Sequence, residues 1–81
     1  MKARIRVTPK PGVLDPQGNA IKQALNSLGF TNVKDVRQGK YIELDLHEDN
    51  RTKVDADANS MCKKLLANTV IEDYSIEVED D

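Results

Sequence analysis

KARIRVT, residues 2–8, puts Ala3, Ile5 and Val7 on one side of an extended chain and Lys2, Arg4, Arg6 and Thr8 on the other. A period of two is the pattern of a strand with one dry face and one wet face, so a first strand is predicted over 2–8. Pro9, Pro11 and Gly12 then stop the ladder and turn the chain. Two later stretches repeat the alternation: Ile42, Leu44 and Leu46 against Tyr41, Glu43, Asp45 and His47, and Tyr74, Ile76 and Val78 against Ser75, Glu77 and Glu79. The acidic pair Asp80-Asp81 follows the last of them. A weaker signal lies at 33–37, where Val33 and Val36 are an odd number of residues apart and both face inward only across a bulge. Gln38-Gly39 stands where a tight turn is needed, which predicts a hairpin joining 33–37 to 41–47.

Between the first two predicted strands, Ala20, Ile21, Ala24, Leu25 and Leu28 recur at helical spacing. Asp15 is placed to cap the helix start, Pro16 sits at the first helical position where its missing N–H costs nothing, and Gly29 is placed to close it. The other side of this helix holds Gln17, Asn19, Gln23, Asn26 and Ser27, with Lys22 its only charge. Charged residues are depleted where one protein surface meets another, so this face is a candidate contact surface as well as a solvated one. A second helix is predicted on Val54, Ala58, Met61, Cys62, Leu65 and Leu66, starting near Thr52 and Asp55 and ending at a left-handed Asn68.

Strand, helix, strand, strand, helix, strand is the split βαβ order of a ferredoxin-like α+β fold. The expected architecture is a βαββαβ two-layer sandwich, a four-stranded antiparallel sheet with two helices on one face, formed by a single domain over 1–81. The first strand is then central. Its Lys2, Arg4 and Arg6 lie between Glu43 and Asp45 on one side and Glu77 and Glu79 on the other, so the basic stripe is neutralised pair by pair.

That neutralisation bears on function. RNA-binding modules of this fold stack bases on aromatic residues of the central strands, and here those positions are Arg4, Arg6, Glu43 and Asp45, with Tyr41 the one aromatic on that face. Twelve Lys and Arg against fourteen Asp and Glu, a formal charge of -2, give no general attraction to nucleic acid or anionic membrane. An anion-holding loop after the first strand would lose backbone donors at Pro9 and Pro11. Cys62, the single cysteine, falls on the predicted buried stripe without a neighbouring histidine, and His47, the single histidine, ends a strand beside Glu48 and Asp49. No nucleophilic or multi-histidine metal site is legible. A lone thiol and the lack of a membrane-length apolar run suit a cytoplasmic protein. A chain of 81 residues buries only about 60–65% of the surface its unfolded form exposes, which makes oligomerisation a natural route to stability.

Three motifs cover most of the chain: VLDPQG at 13–18, DVRQGKYIEL at 35–44, and MCKKLLANTVIEDYSIEVE at 61–79. Together with the charged first strand they resemble PurS, the small subunit of phosphoribosylformylglycinamidine (FGAM) synthase. The resemblance implies a non-catalytic accessory subunit in de novo purine biosynthesis that bridges a PurL-like ATP-dependent synthetase and a PurQ-like glutaminase, so that ammonia passes between them as FGAR becomes FGAM. It also implies a homodimer or a dimer of dimers, and no cofactor in this chain, with ATP and Mg held by the synthetase.

Matched motif by motif, the resemblance places partner contacts at Leu14, Asp15, Pro16, Gln17 and Gly18, at Arg37, Gly39, Lys40 and Tyr41, and at Asn68, Thr69, Glu72, Asp73 and Tyr74. Folding accounts for several of these residue types equally well: Asp15-Pro16 as a helix start, Gly39 as a turn, Asn68 as a cap and Tyr74 as an inward strand position. Exposed charges contribute little to stability, so Arg37, Lys40 and Glu72 are the sharper interface candidates. The competing reading is a regulatory, ACT-like module that binds a small effector at the seam between two ferredoxin-like domains.

Overall fold

The alternation at 2–8 is realised as strand β1 (Lys2–Pro9), whose Ala3, Ile5 and Val7 are fully buried. The computed structural model describes residues 1–80, and Asp81 of the acidic tail lies outside them. After β1 come helix α1 (Pro16–Ser27), strand β2 (Lys40–Asp45), helix α2 (Arg51–Met61) and strand β3 (Glu72–Glu79). Both β2 and β3 pair antiparallel with β1, so the first strand is central as its pattern predicts.

Register sets the charges face to face. Arg4 stands opposite Glu43 on one side and Glu77 on the other, and Lys2 opposite Asp45 and Glu79. The guanidinium groups also reach diagonally, Arg4 to Glu79 and Arg6 to Glu77, the latter at 3.4 Å. Arg6 further lies over the Tyr41 ring, 5.6 Å from its centroid. The wet face is thus a lattice of opposite pairs, as the alternation predicts.

The sheet has three strands, not the four expected from the sequence. Residues 33–39 form no ladder, and the predicted hairpin is absent. The out-of-phase valines explain part of this, since no flat strand buries both. Backbone donors explain the rest: the Val36 N–H goes to the side chain of Asp35 and the Gln38 N–H to that of Asp15, at 2.9 and 2.8 Å. A segment whose N–H groups are satisfied by carboxylates gains little from joining a sheet.

A second correction concerns the helices. It is α2 that packs on the sheet, against β1 and β3. The core comprises Ala3, Ile5 and Val7 of β1, Val54, Ala58 and Cys62 of the second helix, and Ala67, and no residue of α1 contributes to it. Helix α1 instead projects with 28–39 as an arm. The radius of gyration is 16.0 Å, whereas a compact chain of this length has about 12 Å. Both ends of α1 are closed by local bonds. Asp15 caps it and Pro16 opens it as the sequence predicts. At its far end Phe30 N–H donates to Leu25 O and Gly29 N–H to Asn26 O, with Gly29 at φ +99°, a Schellman closure.

Helix α2 starts two residues earlier in capping chemistry than Thr52 and Asp55 suggest. Asn50 is the cap, its Oδ1 accepting the Lys53 N–H at 3.2 Å, and Glu48 accepts from the N–H groups of Asp49 and Asn50. Those bonds hold the Glu48 carboxyl below its ordinary range, the Asn50 N–H being the largest cause. At the other end the helix widens into a π-helical turn, Cys62–Leu66, in which Ala67 N–H reaches back to Cys62 O at 2.9 Å. The wide turn changes which residues face inward: Ala67 is buried, Leu66 half-buried, and Leu65, expected on the apolar stripe, is exposed. Asn68 is not left-handed, since no non-glycine residue among the described ones has positive φ. It works through its hydrogen bonds instead.

Candidate functional site

One end of the sheet gathers all three sequence motifs. There β1 runs out at Val7, Thr8 and Pro9 while β2 and β3 begin. The register sets Val7 opposite Lys40 and Tyr74, Arg6 opposite Tyr41, Thr8 opposite Asp73 and Pro9 opposite Glu72. The second and third residue groups thus flank the same end of β1 and share Val7. The first group joins them through Asp15.

Asp15 has two duties. Its Oδ1 accepts the Gly18 N–H at 2.9 Å, the helix cap, and its Oδ2 accepts the Gln38 N–H at 2.8 Å, which ties the helix start to the segment leading into β2. These two N–H groups, Gly18 first, hold the carboxyl below its ordinary range, with a smaller contribution from the Arg37 charge, while partial burial opposes them. Gly18 is the only buried residue of α1, and a Cβ there would collide with Val36 O. Gly39 is constrained in the same way, since its Cβ would run into Val7 O. Both glycines are therefore set by close backbone approach, and neither has a positive φ.

The cations at this end find backbone carbonyls. The Arg37 guanidinium donates to Pro9 O, and Lys40 Nζ donates to Leu66 O at 3.3 Å, meeting the negative end of the second helix. Lys10 binds twice, through its backbone N–H to Ile71 O at 2.9 Å and through Nζ to Asp73 at 3.8 Å. In the third motif Asn68 organises the turn into β3. Its N–H donates to Glu72 Oε1 at 2.8 Å, its Oδ1 accepts the Val70 N–H at 3.2 Å, and its carbonyl accepts from Ile71 and Glu72. The Tyr74 hydroxyl donates to Asn59 Oδ1, fastening β3 to α2. Arg37, Lys40 and Glu72, the charges that folding seemed least to require, each have an intramolecular partner.

What this end presents outward is partly apolar. Leu14 is 82% exposed, Val70 81% and Ile71 43%. Val70 and Ile71 were not singled out by pattern, although an apolar pair in a turn, next to Asn68-Thr69, is legible in the sequence. Thr69, Pro16 and Gln17 are exposed beside them. Tyr41 is also exposed; its hydroxyl donates to Glu43 Oε1 at 3.0 Å, and partial burial and then the Glu43 carboxylate push its pKa up.

Among the described residues no group of three or more His, Cys, Asp or Glu could hold a metal ion. Cys62 is fully buried under the sheet, and burial pushes its thiol up, away from the reactive thiolate. No described helix is long and apolar enough to cross a membrane.

Comparison with known proteins agrees with the motifs. The chain is 51% identical to the PurS subunit of phosphoribosylformylglycinamidine synthase from Bacillus subtilis, over 98% of this chain and 93% of that one. It is 50% identical to the corresponding subunit from Methanocaldococcus jannaschii, over 96% and 94%. The solved structure of the B. subtilis protein superposes with a TM-score of 0.88 over 98% of each chain. A chain in a solved structure of PurLQS from Thermotoga maritima, 33% identical, superposes with a TM-score of 0.84 over 94% of this chain and 93% of that one. The family model PurS, described as phosphoribosylformylglycinamidine (FGAM) synthase, matches residues 2–80, and the chain belongs to that family.

Proposed function

We propose that this chain is the small structural subunit of an FGAM synthase of purine biosynthesis, seated between a PurL-like synthetase and a PurQ-like glutaminase. The observation that carries this reading is the similarity to a chain of the T. maritima PurLQS structure, extending over nearly the whole fold. In this role the chain supplies no catalytic group and no cofactor. ATP and Mg belong to the synthetase, ammonia is released in the glutaminase, and the small subunit keeps the two sites in register so that ammonia passes to FGAR without escaping to water. The end of the sheet where the three motifs meet is the surface for these partners. Leu14, Val70 and Ile71 supply apolar contact there, and Thr69, Glu72 and Asp73 supply polar groups around it. The working form is a homo-oligomer, a dimer or a dimer of dimers, in the cytoplasm.

The test is FGAM formation by purified synthetase and glutaminase with glutamine or with free ammonia as nitrogen donor, with and without this chain. A bridge is required for the glutamine-dependent rate and leaves the ammonia-dependent rate nearly unchanged. If neither rate responds, the bridging role is wrong, and equilibrium dialysis against amino acids and nucleotides then tests the effector-binding module.

A further inference from the structure

Helix α1 carries one charge, Lys22, and folding does not use it. The residue is half-buried, yet among the described residues its ammonium has neither a hydrogen bond nor an ion pair. On a flat surface this would be ordinary, with the stem lying on apolar neighbours and the charged end in open water. Lys22 instead stands in the wall of a cavity.

That cavity, of about 520 Å³, lies at the foot of the arm, between the β1–α1 connection and residues 35–37. Lys10 and Arg37 share its wall with Lys22, and its carboxylates are Asp15 and Asp35. Three cations against two carboxylates leave one positive charge in excess. The carboxylates are also engaged by backbone: Asp15 accepts the Gly18 and Gln38 N–H groups, and Asp35 accepts that of Val36. Lys10 is drawn to Asp73, while Arg37 spends one donor on Pro9 O and keeps further N–H groups for another acceptor. What the cavity lacks is an anionic acceptor for Lys22 and Arg37.

Position narrows the choice of acceptor. The cavity opens at the end of the sheet where the three motifs meet, and Leu14, 82% exposed, forms part of its lining. A cationic wall beside an exposed leucine suits an acidic side chain from another protein, whose methylene groups rest on the leucine while its carboxylate takes charge-assisted hydrogen bonds.

We propose that this cavity receives an Asp or Glu side chain of one of the two large subunits, its carboxylate paired with Lys22 and Arg37. This rests on the bridging role proposed above and names a contact within it.

The experiment compares Lys22→Gln with Lys34→Gln. Glutamine keeps the length and helix propensity of lysine and removes its charge, and Lys34, exposed and outside the cavity, controls for the same change in net charge. Binding of the parent chain and of each variant to the purified synthetase and glutaminase is measured at low salt and at about 1 M salt, where the Debye length is about 3 Å. Circular dichroism checks that the variants fold alike. Lys22→Gln should bind about tenfold more weakly than the parent at low salt, with the gap narrowing at high salt, while Lys34→Gln stays near the parent. Equal behaviour of the two variants, or a Lys22→Gln deficit that salt leaves untouched, overturns the proposal and leaves bridging standing. A parent chain that binds neither large subunit overturns the bridging role and the contact together. Saturable binding of inorganic phosphate to the parent chain alone, lost in Lys22→Gln, makes the occupant a free anion and overturns the assignment to a partner side chain.

Discussion

The side chain of Asp15 accepts the backbone N–H of Gln38 at 2.8 Å across 23 residues of sequence, while its other oxygen caps α1. One carboxylate thus fixes both where the helix begins and where the chain returns to the sheet. The link between the start of α1 and the segment leading into β2 hangs on that residue.

Replacing Asp15 by Ala should free both N–H groups. The expected result is faster amide exchange at Gly18 and Gln38 and weaker assembly with the synthetase and glutaminase. Asn at this position, which accepts through one oxygen only, should keep the cap or the tie but not both. Unchanged exchange at Gln38 in Asp15→Ala would show that the tie contributes nothing.

The same residue predicts an acid response. Its folded pKa lies below the ordinary carboxyl range, so its stabilisation is fully present above the unfolded pKa and is lost as pH falls through the folded one. The difference in urea midpoint between the parent chain and Asp15→Asn should therefore be largest near neutrality and shrink in acid. Comparing the two chains cancels the similar response of Glu48. A difference constant with pH would mean that the carboxylate charge plays no part.

Gly18→Ala reverses a common expectation. In a helix interior alanine is favoured over glycine by up to about 1 kcal/mol, yet here its Cβ collides with Val36 O. Overpacking of this kind costs about 1–3 kcal/mol, and the loss should appear as detachment of the arm base. Gly39→Ala, against Val7 O, should lower the midpoint of the sheet itself. An unchanged or raised midpoint for both substitutions would count against these close approaches.

Arg37→Glu removes the donor to Pro9 O and puts a carboxylate near Asp15 and Asp35. The three-stranded sheet shares no core residue with Arg37, so the far-ultraviolet spectrum should be retained while the sedimenting complex with the two large subunits is depleted. Wild-type assembly in this variant would remove Arg37 from the interface.

Cys62 should behave as a core atom. A thiol reagent should label it only at the rate of unfolding, and Cys62→Ser, which buries a hydroxyl in place of the thiol, should cost about 1–3 kcal/mol in urea denaturation. Rapid labelling of the native chain would contradict its burial.

Much of this was legible in the residues. The alternation of β1 with Ile42 and Leu44 and with Ile76 and Val78 carried the strands, their central order and the charge lattice of Arg4 and Arg6. Asp15, Pro16 and Gly29 carried both ends of α1. The fourth strand failed because residues 33–39 have strand-like content but spend their donors on Asp15 and Asp35, a use that no local pattern reveals. Lys40 and Glu72 looked free for partners; the bond of Lys40 to Leu66 O became visible only when segments distant in sequence came together, whereas that of Glu72 to the Asn68 N–H is local to the turn.

The sequence by itself determined the elements and their faces, because side-chain alternation and capping are local physics, acting over a few residues. It also determined the family, since three motifs spread along the chain resemble PurS. Only the tertiary structure decided that α1 leaves its own sheet and that the three motifs meet at one end of β1. Those outcomes depend on which backbone groups are satisfied by residues far away along the chain, as the Gln38 N–H is by Asp15.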